Sequence, residues 1–234
     1  MSTLLRAENV NCSRELRANG CSRVSGVSMS IEPGTITLLR GSEGCGKNLL
    51  LRVLGLLERP DDGELFLHDA PTREIDESTR LGLRNRHFGF VFAEPFLLGT
   101  FSVLENVAMP LFKIAGVNIE EARLQTARLL DFFGLAGVAE MPGESLALLD
   151  QYKASLARAL VHEPEMLLIE DIDAQLSGAE LHAFLNEVAR ARDEFSATVI
   201  LSATNLPDLL LPHRRIELSE GEIALDSQPS APIT

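Results

Sequence analysis

Residues 35–51 read TITLLRGSEGCGKNLLL, and this stretch decides the fold of the chain. It predicts a short buried strand, a glycine-rich loop and the beginning of an apolar helix. The loop, residues 41–48, matches the pattern G-x-x-x-x-G-K-[ST] at every position except the last, which is Asn48. In that pattern backbone N–H groups surround a phosphate, the lysine contacts the terminal phosphates and the hydroxyl holds Mg²⁺. The strand, loop and helix together favour a phosphate-binding loop over a simple glycine turn, although Asn48 supplies no hydroxyl.

The composition excludes several classes of function. The 234 residues include 34 acidic and 21 basic side chains, and the net charge of −13 argues against a nucleic-acid partner. The 3 cysteines show no spacing typical of disulfides or of a metal site, which suits a reducing compartment. The charged first residues do not predict a signal peptide, and no apolar run is long enough to cross a bilayer. We therefore expect a cytoplasmic protein that reaches a membrane only through a partner.

The apolar periodicity predicts alternating strands and helices on both sides of the loop. The chain opens with a strand segment. Further predicted strands cover residues 24–31, 35–39, 64–68, 88–92, 166–169, 198–201, 215–218 and 222–225. Predicted helices cover residues 47–57, 80–86, 102–114, 119–133, 152–162 and 179–192. This alternation is typical of an α/β sheet with the loop at its carboxyl edge.

The same pattern predicts a domain organisation. Residues 1–226 form one domain, in which the block from about 100 to 162 reads as a helical subdomain inserted between strands. Ser102 followed by Glu105 indicates a capping box at the start of that block. Residues 227–234 contain two prolines, and we expect them to form a disordered tail.

Together these segments resemble the ATP-binding-cassette (ABC) ATPase subunits, in the branch that serves lipoprotein-releasing and macrolide-exporting transporters. The resemblance runs from about Val24 to Leu225. It is carried by the phosphate loop and by the segments RNRHFGFVF (84–92), VLENV (103–107) and ARALVHEP (157–164). It implies an α/β, P-loop NTPase fold of the ABC ATPase type. That fold has a central, mostly parallel sheet, an antiparallel β subdomain and an inserted helical subdomain.

The resemblance also implies ligands and partners. They are ATP with Mg²⁺, a membrane permease subunit, and a second ABC ATPase subunit in a homo- or heterodimer at the inner face of the cell membrane. The family's metal ligands correspond to Asn48 and Glu170, and its catalytic base corresponds to Asp171. Its phosphate-binding residues correspond to nine consecutive positions: Gly41, Ser42, Glu43, Gly44, Cys45, Gly46, Lys47, Asn48 and Leu49.

Several positions depart from the family's catalytic pattern. The glutamine that senses Mg²⁺ and water is Ala93 here, the switch histidine is Thr204, and Ser177 replaces an aspartate of the dimer contact. The strand-end Asp-Glu pair is inverted to Glu170-Asp171. Asp171 is one methylene shorter than the family's base, a shortfall of roughly 1.5 Å. A misplacement of about 1 Å can lower a rate on the order of 10²-fold.

The signature segment departs as well. Leu-Ser-Gly-Gly-Gln, which grips the γ-phosphate held by the opposite subunit, reads LALLD at residues 146–150. Two leucines thus stand where the backbone must approach a phosphate closely, a position suited to glycine. We expect Leu146, Leu149 and Leu156 to extend the following helix by a turn and pack inward, with Leu148 facing the dimer interface. These losses affect both composite sites of a dimer.

Three functions stay open on the sequence. The first is a degenerate pseudo-ATPase subunit that docks on a permease and binds ATP weakly or not at all, with Mg²⁺ binding in doubt. The second is an active, ATP-hydrolysing transporter subunit with divergent motifs. The third is a free-standing regulatory or scaffold protein. The apolar character of residues 92–101, where the family takes its permease, favours the first two.

Overall fold

The computed structural model describes residues 3–16, 20–112, 117–206 and 213–227. The strands are β1 (Leu5–Leu16), β2 (Gly20–Ile31), β3 (Ile36–Arg40), β4 (Asp62–Leu67), β5 (Ala70–Pro71), β6 (Phe88–Val91), β7 (Met166–Ile169), β8 (Thr198–Ala203), β9 (Arg214–Ser219) and β10 (Glu222–Ser227). The helices are α1 (Lys47–Leu54), α2 (Glu77–His87), α3 (Val103–Pro110), α4 (Ile119–Phe132), α5 (Leu148–Leu160) and α6 (Gly178–Phe195). Among these described segments, no helix has the length and apolar character that crossing a bilayer requires.

A six-stranded sheet forms the centre of the fold, in the order β10-β9-β3-β8-β7-β6. Four strand pairs are parallel: β9 with β3, β3 with β8, β8 with β7, and β7 with β6. Strand β10 runs antiparallel to β9. Parallel strands are usually covered by helices on both faces, and the central strands are accordingly mostly apolar. Every residue of β7 and β8 is buried accordingly. This arrangement confirms the mostly parallel sheet expected from the sequence.

A second, antiparallel sheet has the order β2-β1-β4-β5. Helix α1 packs against both sheets, and its buried residues Leu50 and Leu54 share one core with Leu5 of β1 and Ile200 of β8. The antiparallel β subdomain is therefore present as expected. It is joined to the central sheet by the helix that follows the phosphate loop.

The chain between β6 and β7 contains α3, α4 and α5, within the block predicted to be helical. These helices pack with α6 in a second core, which contains the buried rings of Phe133, Tyr152 and Phe184. The subdomain boundaries at about residues 100 and 162 stay a prediction.

The capping box at the start of α3 is confirmed. The Ser102 hydroxyl accepts a hydrogen bond from the Glu105 N–H at 3.1 Å, and the Glu105 carboxylate accepts one from the Ser102 N–H at 2.8 Å. These two bonds satisfy backbone donors that a helix start otherwise leaves without partners.

Some element boundaries differ from the sequence prediction. Helix α1 ends at Leu54 instead of residue 57, because Leu56 takes a left-handed conformation with φ of 57°. Strand β10 includes Ser227, which the sequence places in the tail, and residues 228–234 lie outside the described residues.

We expect Ser102→Ala to destabilise the protein by about 1 kcal/mol, because the substitution removes the cap of α3. The midpoint of thermal unfolding should fall by roughly 2–4 °C. Ser78→Ala is the matched control, since Ser78 is exposed in the first turn of α2 and Asp76 caps that helix. Equal midpoints for the two variants would contradict this role of Ser102.

Candidate functional site

The glycine-rich loop connects β3 to α1 at the carboxyl edge of the central sheet. Ser42, Glu43 and Gly44 form its exposed rim, whereas Cys45, Gly46, Lys47 and Leu49 are buried. Gly46 has φ of 100°, and a Cβ at that position would lie 2.0 Å from the carbonyl oxygen of Arg23. Because Gly46 also precedes α1, no described side chain caps this helix. The first N–H groups of α1 are therefore directed out of the helix start, as anion binding requires.

Lys47 and Asn48 both contact the carboxylate of Asp171. The Lys47 ammonium lies 3.3 Å from Asp171 Oδ2, and the Asn48 amide donates a hydrogen bond to the same oxygen at 2.5 Å. The Lys47 side chain is only 3% exposed. The structure thus brings the predicted phosphate-binding lysine, the departing Asn48 and the predicted base into one cluster.

Strand β8 also positions Asp171, through hydrogen bonds to the Asp171 backbone. The Asp171 N–H donates to the carbonyl oxygen of Ser202 at 3.1 Å and to its hydroxyl at 3.2 Å. Asp171 itself has a left-handed φ of 40°, which turns the chain sharply after β7. The carboxylate is therefore held toward the loop by the register of β7 against β8.

Glu170 has a different partner, Arg52 of α1. The Arg52 Nε donates to Glu170 Oε1 at 3.1 Å, and its Nη2 donates to Oε2 at 3.2 Å. The Glu170 side chain is 8% exposed, so a facing guanidinium is what makes its charge tolerable there. Nothing in the sequence pattern identified Arg52 as a site residue. The one available signal is helical spacing: Arg52 follows Asn48 by four residues, so the two side chains lie on the same face of α1.

These contacts leave a poor donor set for Mg²⁺, which binds proteins through one or two carboxylates together with substrate phosphates. Both oxygens of Glu170 accept from Arg52, and Asp171 Oδ2 is shared by Lys47 and Asn48. Among the described residues, Asn48 Oδ1 and Asp173 Oδ1 are buried without a hydrogen-bond partner, and Asp171 Oδ1 accepts only from the Ser202 hydroxyl at 3.4 Å. Asn48 and Glu170, the two residues that the resemblance assigns to the metal, thus offer one uncommitted neutral oxygen between them, and this pair does not fit Mg²⁺ in the present arrangement.

Asp173 is a further acidic residue that sequence reasoning missed. Its Oδ2 accepts hydrogen bonds from the N–H groups of Thr204 at 2.9 Å and Asn205 at 2.7 Å. These bonds fix the backbone after β8, where the resemblance expects a switch histidine. The Thr204 hydroxyl can donate one hydrogen bond, but it cannot replace an imidazole in proton transfer near neutral pH.

The apolar loop after β6 is anchored to α5 through its backbone. The Tyr152 hydroxyl donates to the carbonyl oxygen of Ala93, and Arg158 donates at 2.7 Å each to the carbonyl oxygens of Pro95 and Phe96. Burial raises the pKa of Tyr152 to about 12, so the hydroxyl keeps the proton that it donates. The Phe96 side chain is 61% exposed, and Leu98 and Phe101 are also exposed. The loop therefore presents apolar side chains from a fixed backbone.

The segment at the signature position forms the start of α5. Leu148 is the first residue of this helix, four residues before the predicted start, so the helix is extended by a turn as expected, but Leu146 lies before it in an extended conformation. Leu146 and Leu156 are buried, also as expected. Leu149, however, is only half-buried, and Leu148 packs partly against the same core. Leu149 therefore packs inward in part, and the expectation that Leu148 faces the dimer interface stays a prediction.

Comparisons with known proteins agree with this architecture. Residues 24–173 match the family described as ABC transporter. A lipoprotein-releasing system ATP-binding protein LolD from Paramagnetospirillum magneticum is 34% identical over 218 residues, covering 93% of this chain and 96% of the relative. The protein of the same name from Psychrobacter arcticus is 35% identical over 222 residues, covering 94% and 98%.

Solved structures show the same fold. A dimeric ATP-binding cassette in a post-hydrolysis state, bound to ADP and Pi, has a TM-score of 0.82 and 23% identity, covering 97% of this chain and 99% of the other. The cbiO1 protein from Clostridium perfringens, part of the ABC transporter complex cbiONQ, has a TM-score of 0.84 and 20% identity, covering 98% and 90%.

We expect Arg52→Ala to lower the free energy of unfolding by about 1–3 kcal/mol, because it leaves the buried Glu170 carboxylate without its charged donor. Adding Glu170→Gln to this variant should recover part of the loss, since the amide is neutral. Urea unfolding of the variants measures both effects. Arg86→Ala, at an exposed arginine of α2, is the control. Stability equal to the control would show that Arg52 contributes nothing to holding Glu170.

Proposed function

The chain belongs to the ABC transporter family, and we propose that it is a transport subunit of this family with little or no ATP hydrolysis. It docks on a membrane permease and binds ATP weakly through residues 41–49. One observation carries this proposal: the two carboxylates after β7 are occupied by Lys47, Asn48 and Arg52 of the chain itself. This arrangement supports nucleotide binding without an effective metal site.

Nucleotide binding is supported by the loop and by the helix that follows it. The glycine conformations, the uncapped start of α1 and Lys47 together provide the donors and the positive charge that phosphates need. Phosphates must compete with Asp171 for Lys47, which lies 3.3 Å from that carboxylate. The competition reduces affinity, and the poor metal donor set makes binding depend little on Mg²⁺.

Slow hydrolysis follows from the same contacts. Phosphoryl transfer depends almost entirely on positioned charges and on the metal ion. At Asp171, the candidate base, Oδ2 is already shared by Lys47 and Asn48, so a water molecule must compete with both groups for that oxygen. Ala93 has no polar side chain to orient a water molecule, and the Thr204 hydroxyl is too weak a base to take its proton.

The partner proposal rests on the exposed loop after β6. Phe96, Leu98 and Phe101 present apolar side chains there, held by Tyr152 and Arg158 of α5. We infer a permease of a lipoprotein-releasing type, because the relatives are named as subunits of such systems. Docking on it would place the chain at the inner face of the membrane, beside a second ABC ATPase subunit in a homo- or heterodimer.

A second candidate is an active ATPase with divergent motifs. The relatives at 34% and 35% identity favour it, because each is named an ATP-binding protein of a transport system. Turnover by the purified chain separates the two candidates.

We expect a fluorescent ATP analogue to bind weakly, with an affinity that changes less than about threefold when Mg²⁺ is removed. Hydrolysis should not exceed that of Lys47→Ala, and Asp171→Glu alone should not raise it, because the glutamine and histidine positions remain changed. Lys153→Ala, a lysine of α5 paired with Asp150, is the control for loss of charge. Tight, strictly Mg²⁺-dependent binding with turnover that requires Lys47 would establish the active ATPase instead.

Substitutions at the start of α5 test the role of this subunit in a dimer. Replacing Ala147 by Ser and both Leu148 and Leu149 by Gly should raise the ATPase rate of an intact partner subunit. The change restores backbone donors toward the partner's nucleotide, and one such donor is typically worth about 10²–10³ in rate.

The control for this experiment is Leu124→Gly, which loosens a helix at an exposed leucine of α4. Both complexes are assayed after purification with the permease. If the partner hydrolyses ATP rapidly beside the native chain and the triple variant changes nothing, Leu148 does not lie at a nucleotide.

A further inference from the structure

Two histidines and a glutamate meet on a part of the surface that includes none of the residues assigned above to the phosphate loop or to a partner. The Nε2 atom of His68 lies 2.7 Å from Glu165 Oε2, and the Nδ1 atom of His87 lies 2.9 Å from Glu165 Oε1. The two imidazole rings are 5.4 Å apart in an edge-on arrangement. One nitrogen from each histidine and a carboxylate oxygen all lie within 4.8 Å of one another.

We propose that His68, His87 and Glu165 bind a divalent transition-metal ion of the zinc class. Two imidazole nitrogens and one carboxylate oxygen form a ligand set that zinc uses when a fourth position stays open to water. Nitrogen ligands favour such ions over Mg²⁺ and Ca²⁺, which prefer oxygen. The chemistry of these three residues therefore differs from that of the phosphate loop, and the proposal is independent of nucleotide binding.

The three ligands come from separate elements whose backbones are already fixed. His68 follows β4 and donates its N–H to the carbonyl oxygen of Leu4 at 3.0 Å, and His87 is the last residue of α2. Glu165 directly precedes β7, and its carbonyl oxygen accepts from the Thr198 N–H at 2.9 Å. Only side-chain rotation is needed to form the site, and ligands on rigid elements hold a metal most accurately.

The adjustment required is small. With ligand bonds of about 2.0–2.1 Å, tetrahedral geometry places ligand atoms roughly 3.4 Å apart. The three ligand atoms now lie within 4.8 Å of one another, so their longest separation must shorten by up to about 1–1.5 Å. Side-chain rotations accomplish this. His68 and Glu165 are free to make them, because their side chains are 49% and 43% exposed, whereas His87, at 14%, is the better-packed member.

A bound ion would join three parts of the fold. His68 belongs to the antiparallel sheet, His87 leads from α2 into β6, and Glu165 leads into β7. The metal would link the antiparallel sheet to the edge of the central sheet. It should therefore raise the midpoint of thermal unfolding as well as bind.

Cobalt and zinc binding test the proposal on the full chain, purified without a polyhistidine tag and without nucleotide, because both would chelate the probe. Co²⁺ should give a saturable visible absorption band, and Zn²⁺ should bind by calorimetry at one ion per chain and displace the Co²⁺. At 100 times its Kd, Zn²⁺ should raise the unfolding midpoint by roughly 5 °C or more.

Variants of the three ligands assign the site. His68→Ala, His87→Ala and Glu165→Gln should each weaken Zn²⁺ affinity at least tenfold, whereas His182→Ala, at an exposed histidine of α6, should not. Glu165→Gln keeps the shape of the side chain and serves as the decisive variant if a histidine variant fails to fold.

The proposal is overturned if metal binding is absent, or if the ligand variants bind as the native chain does. A Co²⁺–thiolate charge-transfer band would also overturn it, because it would place the ion on a cysteine. A midpoint that responds to pH but not to metal would show that the cluster is only an ion pair between the histidines and Glu165.

Discussion

The parallel pairing of β3, β8 and β7 is the constraint on which the site depends. Arg40 at the end of β3 pairs with Ala203 at the end of β8, and Ile169 at the end of β7 pairs with Leu201. Parallel strands end at the same edge of a sheet, so the glycine loop and the acidic pair arrive side by side. A shift of one residue in this register would turn every one of these side chains to the opposite face.

Helix α1 supplies the side chains that pair with the two carboxylates at this edge. Lys47 and Asn48 at its start reach Asp171, and Arg52 one turn later reaches Glu170. Buried carboxylates are tolerated when they are paired and hydrogen-bonded, and these contacts supply the pairing from a single helix. The polar groups of the edge are therefore satisfied largely within the chain itself. A phosphate entering the loop has to replace an existing interaction of Lys47, whereas a free lysine would be available at once.

Helix α5 connects two surfaces that the proposed function assigns to different partners. Its first residue, Leu148, belongs to the segment that would face a second subunit. Tyr152 and Arg158 hold the backbone of the exposed apolar loop around Phe96. The helix runs without a break from Leu148 to Leu160, so both surfaces are connected to one element. The leucines at the start of α5 therefore leave unchanged the contacts that hold the loop around Phe96.

The sequence by itself determined the order of the strands and helices, the position of the glycine loop and the cap at Ser102. Each of these depends on neighbours a few positions away, through apolar periodicity, glycine conformation or a short capping pattern. The local signals were less reliable for the end of α1, where the left-handed turn at Leu56 is set by packing. Only the tertiary structure decided which charged groups meet. Arg52 and Glu170 are 118 positions apart, and His87 and Glu165 are 78 apart. Such contacts depend on how whole elements align in the sheet, and no local pattern of residues carries that information.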